Sequence, residues 1–235
     1  MSLMMPAAKR VEAIHLHARR EIGDGFLRIC RVTLSNSYDD GTTSARYDAE
    51  FLSRPKGLDA VVVIVWRRAA DGPTREVLVR EGIRPGVTFG RVDVPLAIPD
   101  EVTYVRLAEV VAGLVEPTDV GRGGLADRVC AEVLEEAGYR VEPALVHWLG
   151  APTFASPGVL PEKHHYAAVE ISPEAVQVPP AGDGSPFEDG AVTYWLTLAE
   201  AMARCERGEI VDAKTELGLF RFANWARQQN QDASL

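Results

Sequence analysis

Three glutamates are the residues best placed to do chemistry. In AEVLEEAGY, residues 131–139, Glu132 and Glu135 are three apart and Glu132 and Glu136 four apart. On a helix that spacing puts the carboxylates on one face. Like charges so close cost a few tenths of a kcal/mol per exposed pair. A divalent cation reverses the sign of that term. Mg²⁺ takes oxygen ligands and keeps several waters, which suits a few carboxylates together with substrate phosphates, and Mn²⁺ is the alternative. Taken alone, the helix is read equally well as a solvated acidic face.

The elements around this segment follow from pattern. Leu125 to Ala137 has the spacing of a helix, and Gly138 sits where a left-handed stop is wanted. Alternation on either side of SNSYDDGTTS, between residues 25 and 51, predicts a hairpin turning at Asp40-Gly41. Strands are predicted at 60–67, 76–80, 145–149, 164–171 and 192–196, with short strands around a glycine in 104–115. Helices are predicted at 198–207 and 212–228, the latter packing Leu217, Leu219, Phe220, Phe222 and Trp225. Gly and Pro at 82, 85, 86, 90, 95 and 99 make 81–103 an irregular loop, and 151–163 and 179–190 are further loops. The order predicts an α+β fold, a mixed β-sheet with flanking helices behind an N-terminal β-hairpin region.

Composition excludes several functions. Of 235 residues, 25 are Lys or Arg and 34 Asp or Glu, a net charge of −9 with no basic patch, which argues against nucleic-acid and membrane-surface partners. The longest strongly apolar run, residues 58–66, is far short of the roughly 20 residues that span a bilayer. The N-terminal 20 residues, broken by Lys9, Arg10, Glu12 and two histidines, do not form a secretory signal, so a cytoplasmic location is expected. Cys30, Cys130 and Cys205 are odd in number and lack metal spacing. The five histidines have no third ligand nearby and are expected to be structural.

AEVLEEAGY, preceded by Gly113 of VAGLVE, resembles the Nudix box, G-x5-E-x7-R-E-U-x-E-E-x-G-U with U aliphatic. Gly113, Glu132, Glu135, Glu136 and Gly138 match. Ala131 stands at the box arginine, Tyr139 at the closing aliphatic residue and Asp119 at the first glutamate, and an insertion of four falls around DVGRGG. Arg128, four before Glu132, offers a replacement charge.

The resemblance runs over about residues 25–228 and is closest to the ADP-ribose and nucleoside-diphosphate-sugar pyrophosphatases. VLVREGIRPG, AEVVAGLVE, FASPGVLPEK and GEIVDAKTELGL resemble that branch's segments in order. It implies a Nudix-type α/β/α sandwich, with residues 1–55 an N-terminal β-rich dimerisation region, 56–228 the hydrolase domain and 229–235 a tail. It implies metal held by Glu132, Glu136 and the Ala112 carbonyl, with Glu135 ligating a second ion or orienting water. Glu188, or alternatively Asp183, is the implied general base. Arg84, Glu109 and Glu162 are the implied substrate contacts. The substrate would be ADP-ribose or a related nucleoside diphosphate sugar, and the protein a homodimer. The competing expectation, raised by Ala131, is a module of the same fold that binds such a ligand without hydrolysing it.

Overall fold

A computed structural model describes residues 9–70, 72–172, 174–182, 184 and 190–232. The chain divides into two compact units, Met1–Leu58 with Ser156–Glu162, and Asp59–Ala155 with Lys163–Leu235.

The first unit carries an antiparallel sheet in the order β1 (Val11–Ile22), β2 (Arg28–Tyr38) and β3 (Tyr47–Ser53). β2 and β3 are the expected hairpin. Gly41 takes φ of 79°, and Asp40 accepts hydrogen bonds from the Thr42 N–H and hydroxyl, a turn chemistry that Asp-Gly supplies. β1 was not expected. Its alternation is confined to Ile14, Leu16 and Ala18 between His15 and His17, and register shifts between Val11 and Ala13 and between Leu16 and Ala18 interrupt the pairing. Leu16, Leu34 and Tyr47 line up across the three strands, and the next register position pairs Thr33 with Asp48 at 2.7 Å. Successive positions point to opposite faces, so the sheet has an apolar and a polar side. Val159 of the returning segment accepts a hydrogen bond from the Leu52 N–H, and Glu162 pairs with the buried Arg54.

The second unit is built on β4 (Ala60–Arg68), β5 (Arg75–Ile83), β6 (Arg106–Glu109), β7 (Val111–Leu114), β8 (His147–Trp148), β9 (Thr153–Ser156), β10 (Leu160–Glu170) and β11 (Val192–Thr197). Their sheet runs β11-β5-β4-β10-β8, with β6 on β5, β7 on β4 and β9 on β10. β4 and β10 are parallel, whereas β8 with β10, β11 with β5, β4 with β5 and β7, and β5 with β6 are antiparallel, so the sheet is mixed. The helices are α1 (Pro85–Gly90), α2 (Gly121–Ala137), α3 (Leu198–Glu206) and α4 (Ala213–Asp232).

β4 explains the layering. Residues 60–66 are buried throughout, an uninterrupted apolar run of the kind a strand covered on both faces needs. Val61, Val63 and Val65 pack with Val129, Val133 and Ala137 of α2. Val62, Ile64 and Trp66 pack with Ala201 of α3 and Leu219 and Phe222 of α4. The expected α+β architecture, a mixed sheet between helical layers, is therefore present. No described helix is long and apolar enough to cross a membrane.

Boundaries differ from the sequence reading in four places. α2 starts at Gly121, not Leu125, and of its three opening glycines Gly124 is the one in close packing: a Cβ there would lie 2.6 Å from the Asp119 backbone. α1 interrupts the expected 81–103 loop, opening on Pro85, whose fixed φ suits the first turn. The expected 151–163 loop contains β9 and the start of β10. Phe220, assigned to the packed side of the last helix, is about half exposed, while Phe222 meets Trp66 at a tilt and Trp225 meets it edge-on, with ring centroids 5.4 and 5.8 Å apart. Phe222 is fully buried in this aromatic cluster, so Phe222→Ala should lower stability by about 3–5 kcal/mol. Urea denaturation with an unchanged slope would report it.

Candidate functional site

α2 ends in a left-handed residue, Gly138 at φ 74°, whose N–H bonds the Leu134 carbonyl. A Cβ there would meet the Val178 carbonyl oxygen at 1.9 Å, so glycine is required both for conformation and for space. The helix that this residue stops lies against β4 and β7 and turns Glu132 and Glu136 inward, leaving them only 9% and 7% exposed.

Each carboxylate is received by the sheet. Glu132 lies directly over Gly113 of β7, where a Cβ would be 1.8 Å from its carboxyl carbon. Glu136 accepts the Ala112 N–H at 3.0 Å through one oxygen, and its other oxygen lies 3.3 Å from Arg80 Nη1 on β5. Arg128, one turn before Glu132, reaches it at 3.7 Å but holds Asp119 more closely, at 2.8 Å, with Glu116 at 3.3 Å. Burial lowers the Arg128 pKa, but the Asp119 hydrogen bond together with attraction to Asp119, Glu116 and Glu132 outweighs it, leaving a net rise. Arg128 thus braces the start of α2 first and neutralises Glu132 second.

A second charged group adjoins the first. Arg84, at the start of α1, binds Glu109 with two prongs, Nε to Oε1 at 2.9 Å and Nη2 to Oε2 at 2.5 Å. Lys214 of α4 reaches Glu109 at 3.2 Å and Asp212 at 2.9 Å. Asp212 accepts the Thr215 N–H and hydroxyl, and the Thr215 hydroxyl oxygen accepts the Val110 N–H, so the start of α4 is tied to the β6–β7 junction. Arg84 is held charged chiefly by its hydrogen bonds to Glu109, with Glu136 and Asp212 adding attraction. Its side chain remains 40% exposed, the most accessible member of this second group.

The structure therefore brings together Arg84 with Glu109, and Ala112 with Glu132 and Glu136. Ala112 meets Glu136 through its N–H, whereas the resemblance implied its carbonyl as a metal ligand. Glu135 is half-buried, and its carbonyl accepts the Gly182 N–H at 3.0 Å. That bond anchors the start of the late acidic loop to α2, while Asp183 and Glu188 lie outside the described residues. Glu162 stands in the N-terminal unit on Arg54, not in this group. Arg80, Lys214 and Asp212 escaped the sequence reading. The available signal for Arg80 was a charge directly following the apolar Val77, Leu78 and Val79 in a strand.

Among the described residues no three or more His, Cys, Asp or Glu side chains form a ready metal cluster. The donor set nevertheless suits Mg²⁺, which dehydrates reluctantly and needs only one or two carboxylates beside water and phosphate.

No family model matches the chain, and no curated protein matches it in sequence. A solved structure described as an ADP compounds hydrolase aligns over 94% of this chain and 98% of its own, at a TM-score of 0.63 and 13% identity. The fold is of the Nudix type. The T. brucei MERS1–RNA complex aligns over 65% of this chain and 55% of its own at 14% identity, with a TM-score of 0.43, too slight a likeness to argue from. At 13% identity the first likeness extends to the fold alone, and the chemistry must come from this chain's own residues.

Two measurements check the site's construction. Gly113→Ala should force Glu132 aside and destabilise the fold by about 1–3 kcal/mol through overpacking, visible as a lower urea midpoint. Burial raises the Glu109 carboxyl pKa, but Arg84 and Lys214 outweigh it and hold the net value below the ordinary 4.5. A carboxylate with a lowered folded pKa stabilises fully above its unfolded value, and that contribution is lost as pH falls through the folded one. Glu109→Gln should therefore flatten the acid limb of the stability–pH curve below about pH 4.5, and an unchanged limb would refute the pairing.

Proposed function

We propose that the protein hydrolyses the diphosphate bond of ADP-ribose or a related nucleoside diphosphate sugar, giving a nucleoside monophosphate and a sugar phosphate. The observation that carries this reading is the pair of buried carboxylates, Glu132 and Glu136, turned onto one face of α2. A solvated acidic face, the competing interpretation of the same spacing, would leave them in water.

Glu132 and Glu136 hold Mg²⁺ or Mn²⁺ in this proposal, with the Ala112 carbonyl as a further ligand and Glu135 holding a second ion or orienting water. The bound metal supplies charge neutralisation at the diphosphate and a more acidic water. Arg84 binds diphosphate oxygens through the guanidinium edge that is open to solvent, and Glu109 fixes the orientation of that guanidinium. Water attacks one phosphorus, the bridging P–O bond breaks toward the departing phosphate, and the water proton passes to a carboxylate of the late acidic loop, Glu188 or Asp183.

One feature favours the binding module instead. Ala131 leaves the helix without its box arginine, and Arg80 and Arg128 already stand against Glu136 and Glu132. A panel of ADP-ribose, UDP-glucose, GDP-mannose, NADH and diadenosine polyphosphates with Mg²⁺, read by phosphate release after phosphatase treatment, separates the two readings. Turnover of one substrate that falls at least about 100-fold in Glu136→Gln is expected for the enzyme. Binding without turnover, equal in wild type and variant, would establish the module.

The protein is further proposed to be a homodimer through its N-terminal unit. β1 is exposed along its whole length at the edge of its sheet, with Ile14 and Leu16 each about 60% accessible, and a long edge strand of that kind invites pairing. Light scattering should give twice the 25.6 kDa chain mass, and a monomer would remove the inference.

A further inference from the structure

Arg80 follows Val77, Leu78 and Val79 along β5 and is only 5% exposed. A guanidinium so deeply buried is tolerated where a carboxylate answers it, and here that carboxylate is Glu136, 3.3 Å away. The other Glu136 oxygen receives the Ala112 N–H. The carboxylate is thus gripped through both oxygens, from β5 and from β7, while α2 supplies the backbone it hangs from.

The space for this arrangement is written into β5 independently. Gly82 stands on the same side of the strand two residues on, and a Cβ there would lie 2.9 Å from Arg80 Nη1. Meanwhile α2 carries Ala131 where a cation could have stood, and its own Arg128 is engaged most closely with Asp119. From these observations we infer that Arg80 is the positioning residue of the site, holding the Glu136 carboxylate in the orientation that receives a divalent cation. The orienting charge comes from the sheet and not from the helix that bears the ligands. This inference rests on the hydrolase reading above for its catalytic consequence, but its effect on cation binding does not require turnover.

The test uses the full chain and the variants Arg80→Met, Arg80→Lys and Gly82→Ala. Mn²⁺ binding without substrate is followed by electron paramagnetic resonance, kcat and KM on whichever substrate the wild type turns over, and folding by urea denaturation. Arg80→Met should weaken Mn²⁺ binding and lower kcat, each roughly 10–100-fold, the loss expected when a group that orients a metal ligand is removed, with substrate KM little changed. Arg80→Lys should recover part of both. Gly82→Ala, which retains the arginine and displaces its guanidinium, should lose in the same direction by less. A folded Arg80→Met protein with wild-type Mn²⁺ affinity and kcat overturns the inference, as does a loss confined to stability. If Arg80→Met does not fold, unchanged Mn²⁺ binding in Gly82→Ala overturns it equally. If the wild type is silent on every substrate, the hydrolase reading fails, while weakened Mn²⁺ binding in the variants still supports Arg80 and unchanged binding still refutes it.

Discussion

The region of α2 is organised by the burial of two carboxylates, Glu132 and Glu136, against the sheet. Desolvating a carboxylate is costly unless hydrogen bonds and opposite charge compensate. Glu136 meets that demand with the Ala112 N–H and Arg80, and Glu132 lies over Gly113 with Arg128 one turn away. The architecture follows from this requirement. β7 must bring a backbone N–H and a residue without a side chain to the same edge, β5 must carry a cation inward, and α2 must stop at Gly138 so that its glutamates stay in register with both. Exchanging any one of these elements would strand a buried charge.

The second charged group is joined to the first by topology. β6 pairs with β5, and β7 follows β6 after Val110 and pairs with β4, so Glu109 and Ala112 are delivered a few residues apart to neighbouring strands. Thr215 bonds the Val110 N–H in the gap between them, which brings Asp212 and Lys214 from the far end of the chain. Arg84 closes the group from the end of β5. The attraction of Arg84 to Glu136 as well as to Glu109 means that the groups share one electrostatic field. A diphosphate meeting that field would encounter accessible positive charge at Arg84 and buried negative charge beneath it, an arrangement suited to a ligand that arrives with a cation.

Much of this was legible in the residues because local pattern and global fold agree. The β4 run, the stop at Gly138, the Asp40-Gly41 turn and the three-four spacing of the glutamates each require only short-range rules. What was hidden depends on distant partners or on irregularity. β1 alternates only over Ile14 to Ala18, too short a run to announce a 12-residue strand that is exposed throughout. The glycines at 121, 123 and 124 look like a helix breaker and in fact belong to α2, with Gly124 pressed against the Asp119 backbone. Arg80 looks like the charged end of a strand, and only the folded chain shows that Glu136 lies opposite it, 56 positions away by subtraction of their numbers. The same holds for Lys214, whose partner Glu109 sits on another element altogether.

The arginine contacts that favour a binding module are also what a metal-loading site needs before the cation arrives. Two carboxylates four residues apart on a helix, both under 10% exposed, could not both stay ionised in a poorly solvated setting without nearby positive charge. Arg80 and Arg128 supply it, so their presence does not by itself distinguish a retired site from a competent one. Glu136 is held from the sheet, by the Ala112 N–H and by Arg80, whereas Arg128 on α2 itself stands 2.8 Å from Asp119 and 3.7 Å from Glu132. The charge on the last inward glutamate of α2 is thus answered by β5 and β7, and the arginine of the helix is spent first on bracing its start.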